Sequence, residues 1–273
     1  MAAAFPDAAT LDSALDLAAR APSARNAQPW RWHVDHQGVA LYADWDRRLG
    51  DEDADRRDVV LSCGAVLHHC AVAFAAAGWS SRIHRFPDNG VLATIGLQPR
   101  APGAGTVELA QAIRRRRADR RPYRGALPTG TLELLTLRAE RFGVTVAAVP
   151  SVRWARLGET EVELCYGPDT PGHTGDDAAL LVLGTPTDDD AARLRAGEAL
   201  SDLALAATAL GLASCPLTEP LRDTRSLLTL ACEVFDAEAH PQALLRVGVP
   251  AVDEPLPPLD RRSVAETTTF DLN

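Results

Sequence analysis

The chain carries little positive charge for its size. Of its 273 residues, 28 are Lys or Arg and 37 are Asp or Glu, which gives a formal net charge of −9. General binders of nucleic acid or of acidic membranes need a basic surface. We therefore expect neither partner, and any anion site must be a local basic cluster. The most apolar stretch, Cys70–Trp79, is too short to span a bilayer.

The chain also lacks the features of an exported or zinc-binding protein. Its first residues have no cationic segment followed by an apolar core, so they do not resemble a signal peptide. The cysteines are odd in number, widely spread and without zinc-finger spacing: Cys63, Cys70, Cys165, Cys215 and Cys232. A disulfide framework is not expected in a chain of this length. We expect a soluble, reduced, cytoplasmic protein.

Hydrophobic periodicity and turn residues predict a mixture of helices and strands. In the first hundred residues we expect an amphipathic helix over 11–20 with Thr10 as its N-cap, a hairpin over 31–36 and 39–43, a long apolar helix over 59–77 ended by Gly78, and a strand over 91–97. Pro99–Gly105 is the clearest linker. Beyond it we expect helices near 131–142, 190–210 and 222–231, and strands near 144–149, 161–166, 179–184 and 243–249.

A weak internal repeat relates two of the predicted helices. Gly64 and Gly197 each begin an apolar, alanine-rich stretch that ends in a glycine fourteen positions later, at Gly78 and Gly211. Two alanine-rich core helices can look alike by composition alone, so the repeat has two interpretations. The equal glycine spacing favours duplication.

The segment Ala21–Trp30 reads Ala-Pro-Ser-Ala-Arg-Asn-Ala-Gln-Pro-Trp. It resembles the FMN-binding nitroreductase family, whose loop is written Pro-Ser-x-x-Asn-x-Gln-Pro-Trp, at all of that loop's fixed positions. Three further stretches are similar to the family: the arginine motif Arg116–Arg120, the helix end and loop Ala209–Glu219, and the strand Pro241–Gly248 with the basic tail residues Arg261 and Arg262. In the arginine motif, Ala118 stands where the family has a hydroxyl residue.

The resemblance implies an α+β fold made of two fused nitroreductase-like halves, as in the Acg-like branch. The halves would be residues 1–100 and 106–273, each a mixed sheet packed by helices. In ordinary family members the Pro-Ser loop and the arginine helix come from different subunits. Here each motif occurs once, so we expect a single FMN per chain, bound where the halves meet.

Arginine suits the phosphate of FMN because its planar, permanently charged guanidinium donates two hydrogen bonds to phosphate oxygens. We expect a short helix that carries the run Arg114–Arg117, with Arg116, Arg117 and Arg120 within little more than one helical turn. Arg261 or Arg262 can join them from the tail. The alternative is a solvated basic face, which is the usual role of a charge run.

The polar residues of the Pro-Ser loop suit the flavin's ribityl chain or pyrimidine edge, since Asn offers both a donor and an acceptor. Plain turn chemistry is the alternative. The predicted cofactor contacts in the two loops are Pro22, Ser23, Ala24, Asn26 and Gln28, and Pro216, Leu217, Thr218 and Glu219. The resemblance implies that backbone N–H groups of the second loop approach flavin N5. Trp30 is expected in the core.

Other chemistries are poorly supported. There is no Gly-x-Ser-x-Gly elbow, no Walker loop and no dinucleotide-binding glycine motif. His68 and His69 are adjacent and should point to different helix faces, which is wrong for a shared metal. We expect both to be structural and predict no metal site.

The leading functional prediction is an oxidoreductase that passes hydride from NADPH or NADH through FMN to a nitroaromatic, quinone or similar small acceptor. We expect no catalytic side chain, since a flavin carries this chemistry itself. Two alternatives are an FMN-binding or storage protein without turnover, and a flavin-free interaction module. We expect a small-molecule substrate and a monomer, with a homodimer as the alternative.

Overall fold

The computed structural model describes residues 5–87, 90–149, 152–156, 162–166, 176–252 and 254–272, with backbone only for 152–156 and 162–166. The chain divides into two compact units. The first contains Met1–Arg115, Asp189–Ser201 and Leu259–Asn273, and the second contains Arg116–Asp188 and Asp202–Pro258. Helices together with one mixed and one antiparallel sheet confirm the α+β class. That the chain is two fused halves, split near residues 101–105, stays a prediction.

The first unit is built on a five-stranded sheet. Its strands are β1 (Trp30–Asp35), β2 (Gly38–Ala43), β3 (Trp79–Arg85), β4 (Val91–Pro99) and β11 (Thr268–Asp271). Their order in the sheet is β11-β1-β2-β4-β3. Strands β1 and β2 form the predicted hairpin, and the C-terminal strand β11 adds to β1 in parallel. The Asp35 side chain accepts hydrogen bonds from the N–H groups of Gln37 and Gly38, which closes the hairpin turn.

The helices of the first unit are α1 (Ala8–Ala18), α2 (Asp53–Ala76), α3 (Ala104–Arg115), the short α7 (Val264–Thr267) and the N-terminal part of α5 (Asp190–Ala209). Helix α1 begins earlier than predicted, because the Asp7 carboxylate accepts from the N–H of Thr10 and is the N-cap. Helix α2 also begins earlier, at a capping box formed by Glu52 and Asp55.

Helix α2 forms the centre of the first unit. By length and composition it could cross a membrane, but 83% of its most apolar window is buried inside the protein. Its cysteines, Cys63 and Cys70, are fully buried, and burial raises the pKa of each thiol. Helix α2 is therefore a core helix, and its thiols pack there as small apolar groups.

Helices α2 and α5 touch through two glycines. A Cβ on Gly64 would lie 2.0 Å from the carbonyl oxygen of Leu194, and a Cβ on Gly197 would lie 2.1 Å from that of Leu61. Leu61 precedes Gly64 by three residues, as Leu194 precedes Gly197, so the contact is reciprocal. Only glycine allows this approach. A reciprocal contact is what two copies of one helix make at a two-fold axis, which supports the duplication interpretation.

His68 and His69 are buried beside α5 and share one hydroxyl group. The Ser201 Oγ lies 2.8 Å from Nδ1 of His68 and 2.7 Å from Nδ1 of His69. Both rings therefore take part in buried hydrogen bonds between α2 and α5, which agrees with the structural role expected for them. No group of residues suited to a metal ion occurs in the described ranges.

The second unit contains a four-stranded antiparallel sheet with the order β5-β8-β10-β9. Its strands are β5 (Thr145–Ala148), β8 (Ala179–Thr185), β9 (Ala213–Leu217) and β10 (His240–Gly248), with helices α4 (Thr131–Glu140) and α6 (Thr224–Phe235) and the C-terminal part of α5. A separate hairpin joins β6 (Val152–Arg156) to β7 (Val162–Tyr166). Buried residues of β8, β9, β10 and α6 form the core of this unit.

Candidate functional site

The Pro-Ser loop lies between α1 and β1, in the first unit. A single turn of 3-10 helix, Ala24–Asn26, follows Pro22 and Ser23. Three non-glycine residues have positive φ angles: Arg25 at +47°, Asn26 at +57° and Gln28 at +50°. Such angles cost free energy and persist only where the surroundings impose them. The loop therefore has a fixed and unusual shape.

Hydrogen bonds close the loop on itself and fasten it to α2. The Ser23 hydroxyl accepts from the N–H of Gln28 at 3.0 Å, and the Ser23 carbonyl accepts from the N–H of Asn26 at 3.0 Å. The N–H of Ala24 donates to the Ser62 hydroxyl at 3.3 Å. Ser23 is thus a turn-forming residue in this structure, and Trp30 is fully buried as predicted.

Asn26 and Gln28 bond to the C-terminal tail. Asn26 Nδ2 donates to the carbonyl of Asp260 at 3.1 Å, and its Oδ1 accepts from Arg261. The buried Gln28 accepts the N–H of Arg262 at 2.8 Å through Oε1. Both predicted side chains therefore join loop to tail.

Arg262 fastens the tail more deeply than Arg261. Its guanidinium donates to the carbonyls of Gln28 at 3.0 Å, Trp30 at 3.4 Å and Glu266 at 3.0 Å, and to the buried Asp44 carboxylate at 3.3 Å. Planar donors directed at several acceptors make a strong clamp. The structure thus brings Pro22, Ser23, Ala24, Asn26, Gln28, Arg261 and Arg262 together in the first unit.

The arginine motif lies in the second unit, and it is not helical. Helix α3 ends at Arg115, and Ala118 makes a parallel bridge to Ser214 in β9. The N–H of Asp119 donates to the Ser214 carbonyl at 3.0 Å. The prediction of one helical turn was wrong, because these bonds hold the segment extended and Pro122 disfavours helix at the residue before it.

The extended backbone spreads the three predicted arginines. Arg116 is buried at 5% exposure, while the Arg117 side chain donates to the carbonyl of Leu256 at 3.1 Å. Arg120 lies at the surface, with a side chain 61% exposed, and Nη2 donates to the Glu219 carboxylate at 2.7 Å. Of the three, Arg120 presents its guanidinium most openly.

The Glu219 carboxylate is held as an anion at the start of a 3-10 turn. It accepts from the Thr218 N–H at 3.2 Å as well as from Arg120. Burial raises the pKa of Glu219, but the hydrogen bonds from its own N–H and from Arg120 outweigh burial and lower that pKa overall. These donors together form a small site for an oxygen anion.

Pro216 and Leu217 belong to strand β9, whereas a loop was expected there. Both pair with β10, opposite Leu245 and Leu244. Only Thr218 and Glu219 of the predicted set lie beyond the strand. Cys215 in the same strand is buried, and burial raises the pKa of its thiol to about 11, so it is not a thiolate nucleophile at neutral pH.

A buried ion pair supports the arginine motif, and sequence reasoning missed its role. Arg246 in β10 pairs with Asp176 at 2.6 Å, with exposures of 3% and 1%. The Arg246 guanidinium lies 4.5 Å from the centre of the Tyr123 ring. An arginine inside the apolar run Ala243–Val249 was the available signal, but its partner Asp176 lies 70 positions away and is not marked by any local pattern.

No protein-family model matches the chain. It is 40% identical over 319 residues to a Mycobacterium tuberculosis protein named "Putative NAD(P)H nitroreductase", with 97% of this chain and 93% of the relative covered. A second relative from that organism, with the same name and the suffix acg, is 33% identical over 315 residues, covering 94% of each. Both alignments exceed 273 positions, so these relatives contain insertions relative to this chain.

A crystal structure of a "putative nitroreductase" from Anabaena variabilis covers 90% of this chain and 90% of its own, with a TM-score of 0.55 and 11% identity. At that identity the likeness shows the fold alone. Taken with the two sequence relatives, it establishes that the chain has the nitroreductase fold and belongs to the nitroreductase family, among relatives that include acg.

Proposed function

We propose that this protein is an FMN-dependent oxidoreductase that uses NAD(P)H to reduce a nitroaromatic, quinone or similar small acceptor. The observation that carries the proposal is the oxygen-anion site in which Arg120 and the Thr218 N–H hold the Glu219 carboxylate, in a chain that belongs to the nitroreductase family. The names of the relatives support NAD(P)H as the reductant. The Pro-Ser loop supports FMN through its resemblance to the family.

The hydrogen-bond donors around Glu219 are of the types that bind the phosphate of FMN. A guanidinium and a backbone N–H already hold a carboxylate there, and the same donor types bind phosphate oxygens. Arg116 and Arg117 add positive charge along the same segment. In the proposal, Arg120 exchanges the Glu219 carboxylate for the phosphate, and Arg117 and Arg116 offset its second charge.

The Pro-Ser loop would have a different role. The side chains of Asn26 and Gln28 bond to the tail, so the loop offers the flavin its shape and its backbone groups. Its positive φ angles set the direction of those groups.

When bound, FMN would supply the redox chemistry by taking a hydride equivalent from NAD(P)H and giving two electrons to the acceptor. The residues of the chain would bind and orient the cofactor and neutralise its phosphate. A quinone would take up two protons with the two electrons. The high pKa of Cys215 argues against covalent chemistry at that thiol.

The first test is a visible absorption spectrum of the purified protein after addition of FMN and removal of the excess. Anaerobic NADPH and then NADH follow. Bound flavin that bleaches rapidly supports the oxidoreductase. Bound flavin that stays oxidised with both nucleotides would contradict the oxidoreductase and support an FMN-storage protein. Absence of bound flavin would overturn both interpretations.

The arginine assignment is tested by replacing Arg117 and Arg120 together with Ala. We expect the double variant to lose retained FMN, because it removes two of the proposed phosphate ligands. Arg115→Ala is the matched control, since Arg115 is exposed at the end of α3. Equal retention by all three proteins would remove Arg117 and Arg120 from the site.

We also propose that α2 and α5 are copies of one ancestral helix, so that the chain is an internal pseudo-dimer. The reciprocal contact of Gly64 and Gly197 supports this. Such a chain needs no second subunit, and we propose a cytoplasmic monomer with a small-molecule substrate and without nucleic-acid or membrane partners. Light scattering that gives twice the 29.2 kDa mass of the chain would contradict the monomer.

A further inference from the structure

Arg246 is a buried charge to which the proposed function assigns no contact with FMN. It is 3% exposed, and its Asp176 partner is 1% exposed. Moving two charges out of water is costly, and a buried pair often adds little net stability compared with apolar residues. The other contacts of Arg246 show what the pair holds in place.

The Arg246 guanidinium holds the backbone on both sides of Arg120. Nη1 donates to the carbonyl of Asp119 at 3.4 Å, and Nη2 donates to the carbonyl of Arg121 at 3.3 Å. Those are the two residues adjacent to Arg120. One rigid, planar group thus spans the peptide segment from which the exposed Arg120 side chain extends.

Tyr123 and Asp176 complete this support. The Tyr123 hydroxyl donates to the same Asp119 carbonyl at 2.6 Å, and the Tyr123 ring lies beneath the Arg246 guanidinium. Asp176 accepts from Arg246 at 2.6 Å and from the N–H of Tyr123 at 2.7 Å. All of these groups belong to the second unit.

We propose that Arg246, supported by Asp176 and Tyr123, is a positioning residue for phosphate recognition: it fixes the backbone at Arg120 so that this side chain can bind the FMN phosphate. The inference rests on the proposed function. Arginine is required because its planar guanidinium reaches the carbonyls of Asp119 and Arg121 and the Asp176 carboxylate at once. A lysine ammonium is a compact charge without this planar, forked set of donors. The backbone is held by the buried pair, while the Arg120 side chain stays exchangeable.

The experiment compares the Kd values of FMN and riboflavin, which differ only by the phosphate, in the wild type and in Arg246→Lys. We expect the variant to weaken FMN binding roughly tenfold, because a displaced charged hydrogen bond loses much of its strength. Riboflavin binding should change less than about twofold. The ratio of the two affinities isolates phosphate recognition, since a general loss of structure would weaken both flavins equally.

Failure of the inference and failure of the proposed function give different results. A wild-type protein that binds neither flavin overturns the proposed function, and the inference with it. A wild type that prefers FMN, combined with an Arg246→Lys variant that keeps the same preference, overturns only the positioning role. A wild type that binds both flavins equally also overturns it, because no phosphate recognition would exist to be positioned.

Two further variants keep the test decisive. If Arg246→Lys does not fold, Tyr123→Phe removes only the hydroxyl bond to Asp119, and it should lower the FMN preference by a smaller factor; an unchanged preference contradicts the inference. In an Arg120→Ala background, Arg246→Lys should leave the remaining preference unchanged. A further fall there would show that Arg246 does not act through Arg120.

Arg193→Lys is the matched control. Arg193 is 4% exposed and pairs with Asp53 at 2.6 Å in the first unit, so the same substitution disturbs a similarly buried arginine. It should leave the ratio of FMN to riboflavin affinity at the wild-type value. An equal fall in the ratio for this control would attribute the effect of Arg246→Lys to general destabilisation.

Discussion

The Pro-Ser loop and the arginine motif are both proposed to bind FMN, but they use their polar groups in opposite ways. In the first unit, the side chains of Asn26, Gln28 and Arg262 form hydrogen bonds with other groups of the same chain. In the second unit, the arginine backbone is held from behind by a buried pair, and the Arg120 side chain is 61% exposed. We call the first region closed, because its polar side chains bond within the chain, and the second region open, because the Arg120 side chain is exposed.

The difference teaches which contribution each region can make. A closed set of hydrogen bonds fixes a shape, because breaking the bonds to the buried Gln28 and Asp44 leaves buried groups unsatisfied. An exposed ion pair contributes little to stability, and each of its groups can exchange one partner for another at low cost in free energy. We therefore expect substitutions in the closed set and in the buried support to affect folding, and substitutions at the exposed pair to affect binding.

The largest expected effect on stability is at the buried Arg246–Asp176 pair, which supports the arginine motif. Asp176→Asn should lower the free energy of unfolding by about 3–5 kcal/mol, because it leaves the Arg246 charge buried without its carboxylate. Urea denaturation measures the loss. Asp51→Asn, in the exposed pair with Arg48, is the control and should cost less than about 1 kcal/mol. Similar losses in both variants would contradict the assignment of Arg246 and Asp176 as the support.

The next effect separates the two regions directly. Arg262→Ala should lower the free energy of unfolding by about 2 kcal/mol, because four acceptors lose a charged donor and Asp44 is buried. Arg120→Ala should cost less than about 1 kcal/mol, yet weaken FMN binding strongly. Urea denaturation and FMN titration of both variants give the two measurements. A large stability loss for Arg120→Ala would mean that the open region is closed as well.

The smallest effect concerns Glu219, whose carboxylate competes with a phosphate for Arg120. Glu219→Gln should tighten FMN binding by roughly two- to fivefold, measured by quenching of flavin fluorescence, because it removes the competing charge. Weaker binding by the variant would instead make Glu219 a contributor to the flavin site.

The same residue gives a pH signature in the protein without flavin. The folded-state pKa of Glu219 is lowered from its ordinary value of 4.5. Its contribution to stability is therefore complete above that value and is lost as the pH falls through the lower folded-state pKa. Acid unfolding of Glu219→Gln should lack this component, and an identical acid profile would contradict it.

Much of the fold could be predicted because local signals mark its elements. Gly78 and Gly211 have φ angles of +90° and +77°, so each ends its long helix as expected. Strand β3 was missed because Ser80, Ser81 and Arg82 give no clear apolar alternation. Strand β11 was missed because a short edge strand is fixed by the parallel pairing with β1, which is a long-range contact.

The site was predictable in its residues and not in its connections. The Pro-Ser loop was located by its motif, whereas its partner residues lie more than 230 positions away in the tail. The arginine motif was expected to be a helix because the sequence does not reveal the bridge from Ala118 to Ser214. The pairing of Arg246 with Asp176 likewise depends on contacts across 70 positions.

The crossing of α2 and α5 has a consequence for how this chain can evolve. Four residues beyond Gly64 and Gly197 lie His68 and Ser201, which bond to each other at 2.8 Å. In a symmetric homodimer, equivalent positions on the axis must hold identical residues, so a mutation there faces its own copy. With both helices encoded in one chain, each side can change alone. An imidazole can then face a hydroxyl, and the contact between α2 and α5 can contain pairs of unlike residues that symmetry would forbid.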